Sequence, residues 1–423
     1  MNTIKVDRAI IYSFITLNSI SGLEISGISV NSLLVGAFAI YIYCRSFKGK
    51  INIRVKGKEY FLWFLCACIM SCAFSMLYSF TIPHVRMVRS YLINSLIYVF
   101  VYIRMTRMRS ASRDEINRHY INGLVCAARI QAVWGLLQLI MLYGAGININ
   151  EILFVDILKS SNKGYWIMGF YTGSLWNLRI TGLNYENSMF ALVTCIGVAL
   201  EKNKVWKLFL TTIAILSLSR TAWVMIIAYY IFKFYRFLKN NKHKIKKKDA
   251  IIIITLLIIM ILTVRHSFAT QNIISQQIIN IKNRLYDVNS INISARKHLL
   301  YYPYGFLIWL TRTNPLMMLF GYGMRCSGVA FSNNLDICGI VGIGNNSEAW
   351  AVECDVIGIL LGGGIIALVL YYLALFSMNK SVFNEACFII LIGGLVYHFH
   401  SISYIIITII LAQIDSCRTS KRV

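Results

Sequence analysis

Residues 208–232 read LFLTTIAILSLSRTAWVMIIAYYIF, an uncharged run interrupted only by Arg220. A bilayer core about 30 Å thick takes roughly 20 mostly apolar residues per helix. The stretch is therefore either one helix with an arginine at its middle or two short spans joined by a tight turn. Its flanks decide between them. Lys202, Lys204 and Lys207 precede it, and 233–248 carries eight Lys and Arg. Both basic flanks belong to the cytoplasm, so the chain crosses an even number of times between them. The hairpin reading follows, with Arg220 at or slightly below the outer surface. Backbone in such a turn must be buried in protein or line a wet cavity.

The same composition extends through the chain. Of 423 residues, 57% are hydrophobic and 14% charged, with three prolines and a mean hydropathy of +0.63. Soluble domains carry about 25% charged residues, so a water-soluble fold is excluded. Segments 250–264, 356–379 and 386–414 contain no Asp, Glu, Lys or Arg. Spans are predicted at 9–23, 25–44, 60–82, 90–103, 120–143, 186–200, 204–218, 221–237, 249–264, 349–376, 385–397 and 401–415. The expected architecture is an all-α integral membrane bundle of about 12 transmembrane helices, one polytopic domain over 1–423. The last two spans are read as a second hairpin with His398 and His400 near its turn; eleven spans is the alternative.

A net charge of +25 would suggest nucleic acid in a soluble protein, but here its distribution matters more. Six Lys and Arg fall in 45–58, five in 104–118, three in 202–207 and eight in 233–248. That alternation marks cytoplasmic loops and sets nucleic acid aside. The run at 242–248 reads as a solvated loop touching anionic lipid headgroups. Only eight residues precede the first span and no small-residue cleavage site follows it, so it is read as a retained helix with both termini cytoplasmic. Of eleven cysteines, Cys66, Cys68, Cys72, Cys126 and Cys195 lie in apolar runs and read as packing residues. Cys326 and Cys338 share one external loop and could pair in an oxidising compartment.

Two external segments stand out. Residues 144–185 carry Tyr165, Trp166, Phe170, Tyr171 and Trp176, a composition suited to lying in the membrane interface. Residues 265–348 hold Pro303, Pro315 and a glycine-rich stretch from Gly321 to Gly344, and are expected to fold as a cap.

No nucleotide-binding glycine motif, zincin signature or serine elbow is present. Chemistry is sought instead among Arg179, Arg220, Arg284, Arg296, Arg312 and Arg325, all expected at the outer edge. A guanidinium fork binds phosphate oxygens bidentately, which suits a lipid-linked phosphate. The plainer alternative is that these arginines snorkel to headgroups or pair with Glu151, Asp156, Asp287 and Asp336. Arg220 stands apart because uncharged runs on both sides make its desolvation expensive, and charges at such depth usually face a functional cavity. Arg129 is expected to snorkel toward the cytoplasm.

These residues carry a family resemblance. Arg179-Ile-Thr-Gly-Leu-Asn-Tyr-Glu-Asn resembles the Arg-x-Thr-Gly-Leu-x-x-x-Asn stretch of bacterial O-antigen polymerases and ligases. Ser217-Leu-Ser-Arg220-Thr-Ala-Trp is similar to their Ser-Arg-Thr/Gly-Ala element. Ser294-Ala-Arg296, Asn314-Pro-Leu and Leu319-Phe-Gly321-Tyr-Gly323 resemble the arginine and the Pro-Leu-x-Gly-x-Gly element of the family's large periplasmic loop. Gly344-Asn345-Asn346-Ser347 and Glu353-Cys-Asp-Val-Ile-Gly358 resemble its His-Asn-x-x-Leu and Glu-x-Gly-x-x-Gly pair. The likeness spans roughly 179–358.

What the resemblance implies is a C-type glycosyltransferase of the bacterial inner membrane. It would join undecaprenyl-diphosphate-linked oligosaccharides at the periplasmic face, without cofactor or metal. A chain-length regulator and a flippase would be its protein partners. Arg179, Arg220 and Arg296 would hold the diphosphates, with Arg312, Asn345 and Asn346 completing the contacts, and their charge would offset that developing on the leaving diphosphate. Gly344 stands where the ligase branch shows a histidine, and Asp355 replaces a glycine, which favours a polymerase over a ligase. Glu348 and Glu353 are the candidate bases; Glu353 also fits as a plain helix-start acid. His398 and His400 read more readily as satisfied structural histidines. A lipid-linked oligosaccharide flippase is the non-enzymatic alternative, against which stands the lack of a visible internal repeat.

Overall fold

The computed structural model describes residues 3–20, 23–25, 28–46, 59–78, 82–160, 180–184, 186–217, 219–240, 293–334, 336–337, 352, 354–378 and 381–419. Among these the chain is helical apart from a two-residue antiparallel pair, Glu24–Ile25 with Ile28–Ser29. The first helices are α1 (Thr3–Asn18), α2 (Val30–Ser46), α3 (Tyr60–Tyr78), α4 (Ile82–Arg107) and α5 (Ser110–Ala145). A π-helical turn, Glu151–Ile157, follows. Then come α6 (Asn187–Leu200), α7 (Lys204–Leu216) and α8 (Arg220–Asn240). The remainder comprises α9 (Ile293–Thr311), α10 (Pro315–Phe320), α11 (Gly328–Ser332), α12 (Asp355–Ser377), α13 (Asn384–Gly394) and α14 (Ser403–Thr419).

Local chemistry sets the ends. The Asn203 side chain caps α7 by accepting from the N–H groups of Val205 and Trp206 at 2.9 and 3.3 Å. Asn314 does the same for Met317 at 2.8 Å ahead of Pro315, which opens α10 where a missing N–H costs nothing. Gly146, at φ +68°, closes α5 in the left-handed conformation.

Helices at Tyr60–Leu77, Ser110–Leu142 and Asp355–Ser377 are long and apolar enough to cross a membrane by length and composition. Shorter apolar helices run at Val30–Ser46, Asn187–Leu200, Asn384–Gly394 and Ser403–Cys417. Leu33, Ile40, Leu77, Leu208, Ile231 and Phe376 each stand more than half exposed, a load of bare apolar surface that suits acyl chains better than water. The chain thus has the character of an all-α membrane protein.

At both places where a hairpin is expected the helices are separate: α7 ends at Leu216 and α8 begins at Arg220, and α13 ends at Gly394 and α14 begins at Ser403. The predicted span 249–264 lies outside the described residues. The predicted span 349–376 needs correction. Its helix α12 is broken at Gly364 (φ +75°, ψ 177°), and Tyr371 returns to hydrogen-bond Asp355 at 3.1 Å. A straight helix would hold those residues about 24 Å apart. The run Gly362-Gly363-Gly364 permits the fold-back because only glycine takes that φ without strain.

The carbonyls freed at the break are taken by the segment after α10. Tyr322 N–H donates to Leu361 O at 2.8 Å, Gly323 N–H to Gly362 O at 2.9 Å, and the Ser71 hydroxyl also donates to Gly362 O at 2.6 Å. Phe320 stacks on Phe74 of α3 with centroids 4.4 Å apart. This part of the predicted cap threads between α3 and α12 instead of lying over the bundle. Cys326 is buried, and Cys338, with which it was expected to pair, lies outside the described residues.

One end of the helices gathers charge. Lys233 pairs with Glu385, and Tyr229 also donates to Glu385 at 3.1 Å. Arg129 bonds Glu201 at 2.7 Å and lies over Trp206, so it is held by a carboxylate and not by headgroups as expected.

Candidate functional site

The functional candidates collect at the opposite end. Arg220 heads α8, whose later turns carry Lys233; Glu186 precedes α6, which ends at Glu201; His400 lies in the turn after α13, whose first turn carries Glu385. At 1.5 Å per residue Arg220 and Glu186 each stand about 20 Å from the charged cluster, and α13 sets the start of the His400 turn about 14 Å along from Glu385.

At the centre is a buried pair, Asp355 and His400, both side chains fully enclosed. Asp355 Oδ1 accepts from the N–H groups of Phe399 and His400 at 2.6 and 3.0 Å and contacts His400 Nδ1 at 2.7 Å. Oδ2 accepts from the Tyr371 hydroxyl. Two backbone amides already donate to Oδ1, so the carboxylate acts as the acceptor and His400 Nδ1 carries the proton toward it. In the neutral ring, that tautomer leaves Nε2 with a lone pair. Nε2 is buried and has no hydrogen-bond partner among the described residues. An interior polar atom left so costs about 1–3 kcal/mol.

Glycines make the room. A Cβ at Gly394 would stand 2.4 Å from Asp355 Oδ2, and one at Gly358 would stand 3.2 Å from His400 Cε1. Asp355 also opens α12, where the helix dipole favours negative charge.

The turn 395–402 is tied to its surroundings. The Tyr397 hydroxyl bonds Glu186, and the Tyr302 hydroxyl of α9 donates to Leu395 O. A Cβ at Gly393 would meet Phe399 at 2.4 Å and Met225 Sδ at 2.7 Å. Met225 lies about 7 Å along α8 from Arg220, so the arginine and the buried pair share one neighbourhood. Arg220 is half-buried and makes no hydrogen bond or ion pair among the described residues. Arg325 is at φ +64°, an uncommon conformation for a residue other than glycine, and its Nε is buried without a hydrogen-bond partner among the described residues.

The motif 180–184 is held by two glutamines of α5. Gln138 Oε1 accepts from the N–H groups of Thr181 and Gly182 at 3.2 and 2.8 Å, and Gln131 Oε1 accepts from Leu183 N–H at 2.7 Å. Asn150 Nδ2 donates to Gly182 O at 2.8 Å, while the Trp134 indole donates to Asn150 Oδ1 at 2.7 Å. Gly182 sits at φ +59°, and a Cβ there would fall 2.4 Å from Gln131 Oε1.

Of the residues singled out from sequence, Arg220 is the first residue of α8, just after the break that follows α7. Arg296 lies in the first turn of α9, the helix that carries Tyr302. Arg312 is exposed and engaged by Asp336 at 2.7 Å and Asn334 at 3.1 Å, the ion-pair alternative. The guanidinium holds the Asp336 carboxyl below the usual range. Arg179, Asn345, Asn346, Glu348 and Glu353 lie outside the described residues. Sequence reasoning missed the Asp355–His400 pair and Tyr371. The available signal was two ionisable residues within apolar surroundings, each of which satisfies the other most economically. No cluster of three or more His, Cys, Asp or Glu suited to a metal occurs among the described residues.

No protein-family model matches this chain, and no characterised protein matches it significantly.

Proposed function

We propose that this chain is a polytopic inner-membrane glycosyltransferase, with about 12 spans, that polymerises undecaprenyl-diphosphate-linked oligosaccharide repeat units at the periplasmic face. The observation that carries the reading is Arg220, half-buried and unengaged among the described residues, at a hairpin tip opposite the basic end. A free guanidinium held there binds the diphosphate of a lipid-linked donor and stabilises the charge that develops as it leaves. The ordered likeness to O-antigen polymerases supports the same reading. Arg179 joins directly to the clamped segment 180–184, and Arg296 shares α9 with Tyr302. Both serve as further diphosphate contacts.

Deleting the gene in its own host and resolving the surface lipopolysaccharide on a gel tests this. A ladder that collapses to core plus one repeat unit is the expected result. Loss of every repeat, including the first, points to a ligase or a flippase instead.

A further inference from the structure

A transfer of this kind needs a base for the acceptor hydroxyl, and we propose that His400 Nε2 is that base, held by Asp355 in the tautomer that accepts a proton. The inference rests on the polymerase reading and adds the group that moves the proton.

Three observations converge on this nitrogen. The Nδ1 contact to Asp355 at 2.7 Å, together with the two backbone amides on the same oxygen, fixes both the ring and its proton. Nε2 is enclosed and unpartnered among the described residues, so in the neutral ring it has unused accepting capacity. The turn that carries it packs through Phe399 and Gly393 against Met225, on the helix headed by Arg220. A base and an anion-binding arginine are thereby brought to the same end of the bundle. Asp355 and Tyr371 are positioning residues: they act through the imidazole.

The step balances as follows. The acceptor O–H gives its proton to Nε2, and the oxygen pair forms a bond to the donor's anomeric carbon. The bond from that carbon to the phosphate oxygen breaks, and its electron pair leaves with the lipid diphosphate. The imidazolium, stabilised by Asp355, later returns its proton to solvent.

The test uses full-length protein in lipid nanodiscs. Its probe is radiolabelled lipid-diphosphate-linked repeat units extracted from cells lacking the gene. His400→Gln is expected to lower the single-turnover rate about 10²- to 10⁴-fold while binding the probe within about threefold of wild type. Asp355→Asn, which removes the acceptor for Nδ1–H, is expected to fall in the same direction. Wild type is expected to show a solvent deuterium effect of about twofold, as for proton transfer in the rate-limiting step; this readout does not depend on any variant folding. A His400→Gln rate close to wild type, or a wild-type solvent effect near unity, overturns the role of His400. Wild type that binds intact units yet forms no polymer overturns the functional reading itself.

Discussion

The Tyr371 hydroxyl donates to Asp355 Oδ2 at 3.1 Å across sixteen residues of one helical segment. Hydropathy reads that segment as a single crossing, whereas the hydrogen bond requires it to double back at Gly364. The fold-back places a carboxylate among helices where Tyr371, His400 and two backbone amides satisfy it. The break that looks like a defect in a span is what assembles the candidate site.

Gly364→Ala should therefore damage both fold and site. A Cβ there would lie 2.0 Å from Leu319 O, and φ +75° is strained for any other residue. A loss of about 2–5 kcal/mol is expected, measured as a drop in detergent unfolding temperature. An unfolding temperature equal to wild type would mean the fold-back is not required.

Arg220→Ala should abolish polymer with the protein still inserted. Arg220→Lys keeps the charge and loses the bidentate fork, so partial loss is expected. Normal ladders from the alanine variant would remove Arg220 from diphosphate binding.

Gln138→Leu strips the acceptor from two buried amides, Thr181 and Gly182. Each orphaned amide costs about 1–3 kcal/mol, and the segment 180–184 loses part of its mooring. Reduced stability together with reduced polymerisation is the expected pair of effects. Hydrogen exchange at 181–183 indistinguishable from wild type would argue against the clamp.

Arg312 and Asp336 supply a contrast. The partner holds Asp336 below the ordinary carboxylate range, so the pair contributes above the unfolded value and its contribution disappears as pH falls through the lowered one. Both side chains are exposed, and the pair is solvent-screened. Asp336→Asn is expected to leave polymer length and stability at neutral pH unchanged, and to flatten any small acid-side stability loss. A collapsed ladder from Asp336→Asn would instead place Arg312 at the substrate.

Some of this was legible in the residues and some was not. The hairpin at Arg220 could be read because charge on the flanks fixes crossing parity without any tertiary knowledge. The turn around His400 was visible for the same kind of reason, a charge-free run too long for one span with polar residues at its middle. Fold-back in α12 was hidden because a hydropathy average treats three consecutive glycines as ordinary apolar filler. The pairing of Asp355 with His400 joins residues far apart in sequence, and no local pattern encodes it. Segment 180–184 was recognisable as a likeness, but its physical content, backbone amides handed to Gln131 and Gln138, appears only when α5 is packed beside it.

Gly358 and Gly394 hold no charge and touch no ligand, yet each marks space that the buried pair occupies. A descendant chain that lost Asp355 or His400 would be released from the need for both glycines, and one that gained a side chain at Gly394 would have to move Asp355, while one at Gly358 would press on the His400 ring. Positions 355, 358, 394 and 400 are thus bound into one heritable unit, and across diverging lineages they should drift together or stay fixed together.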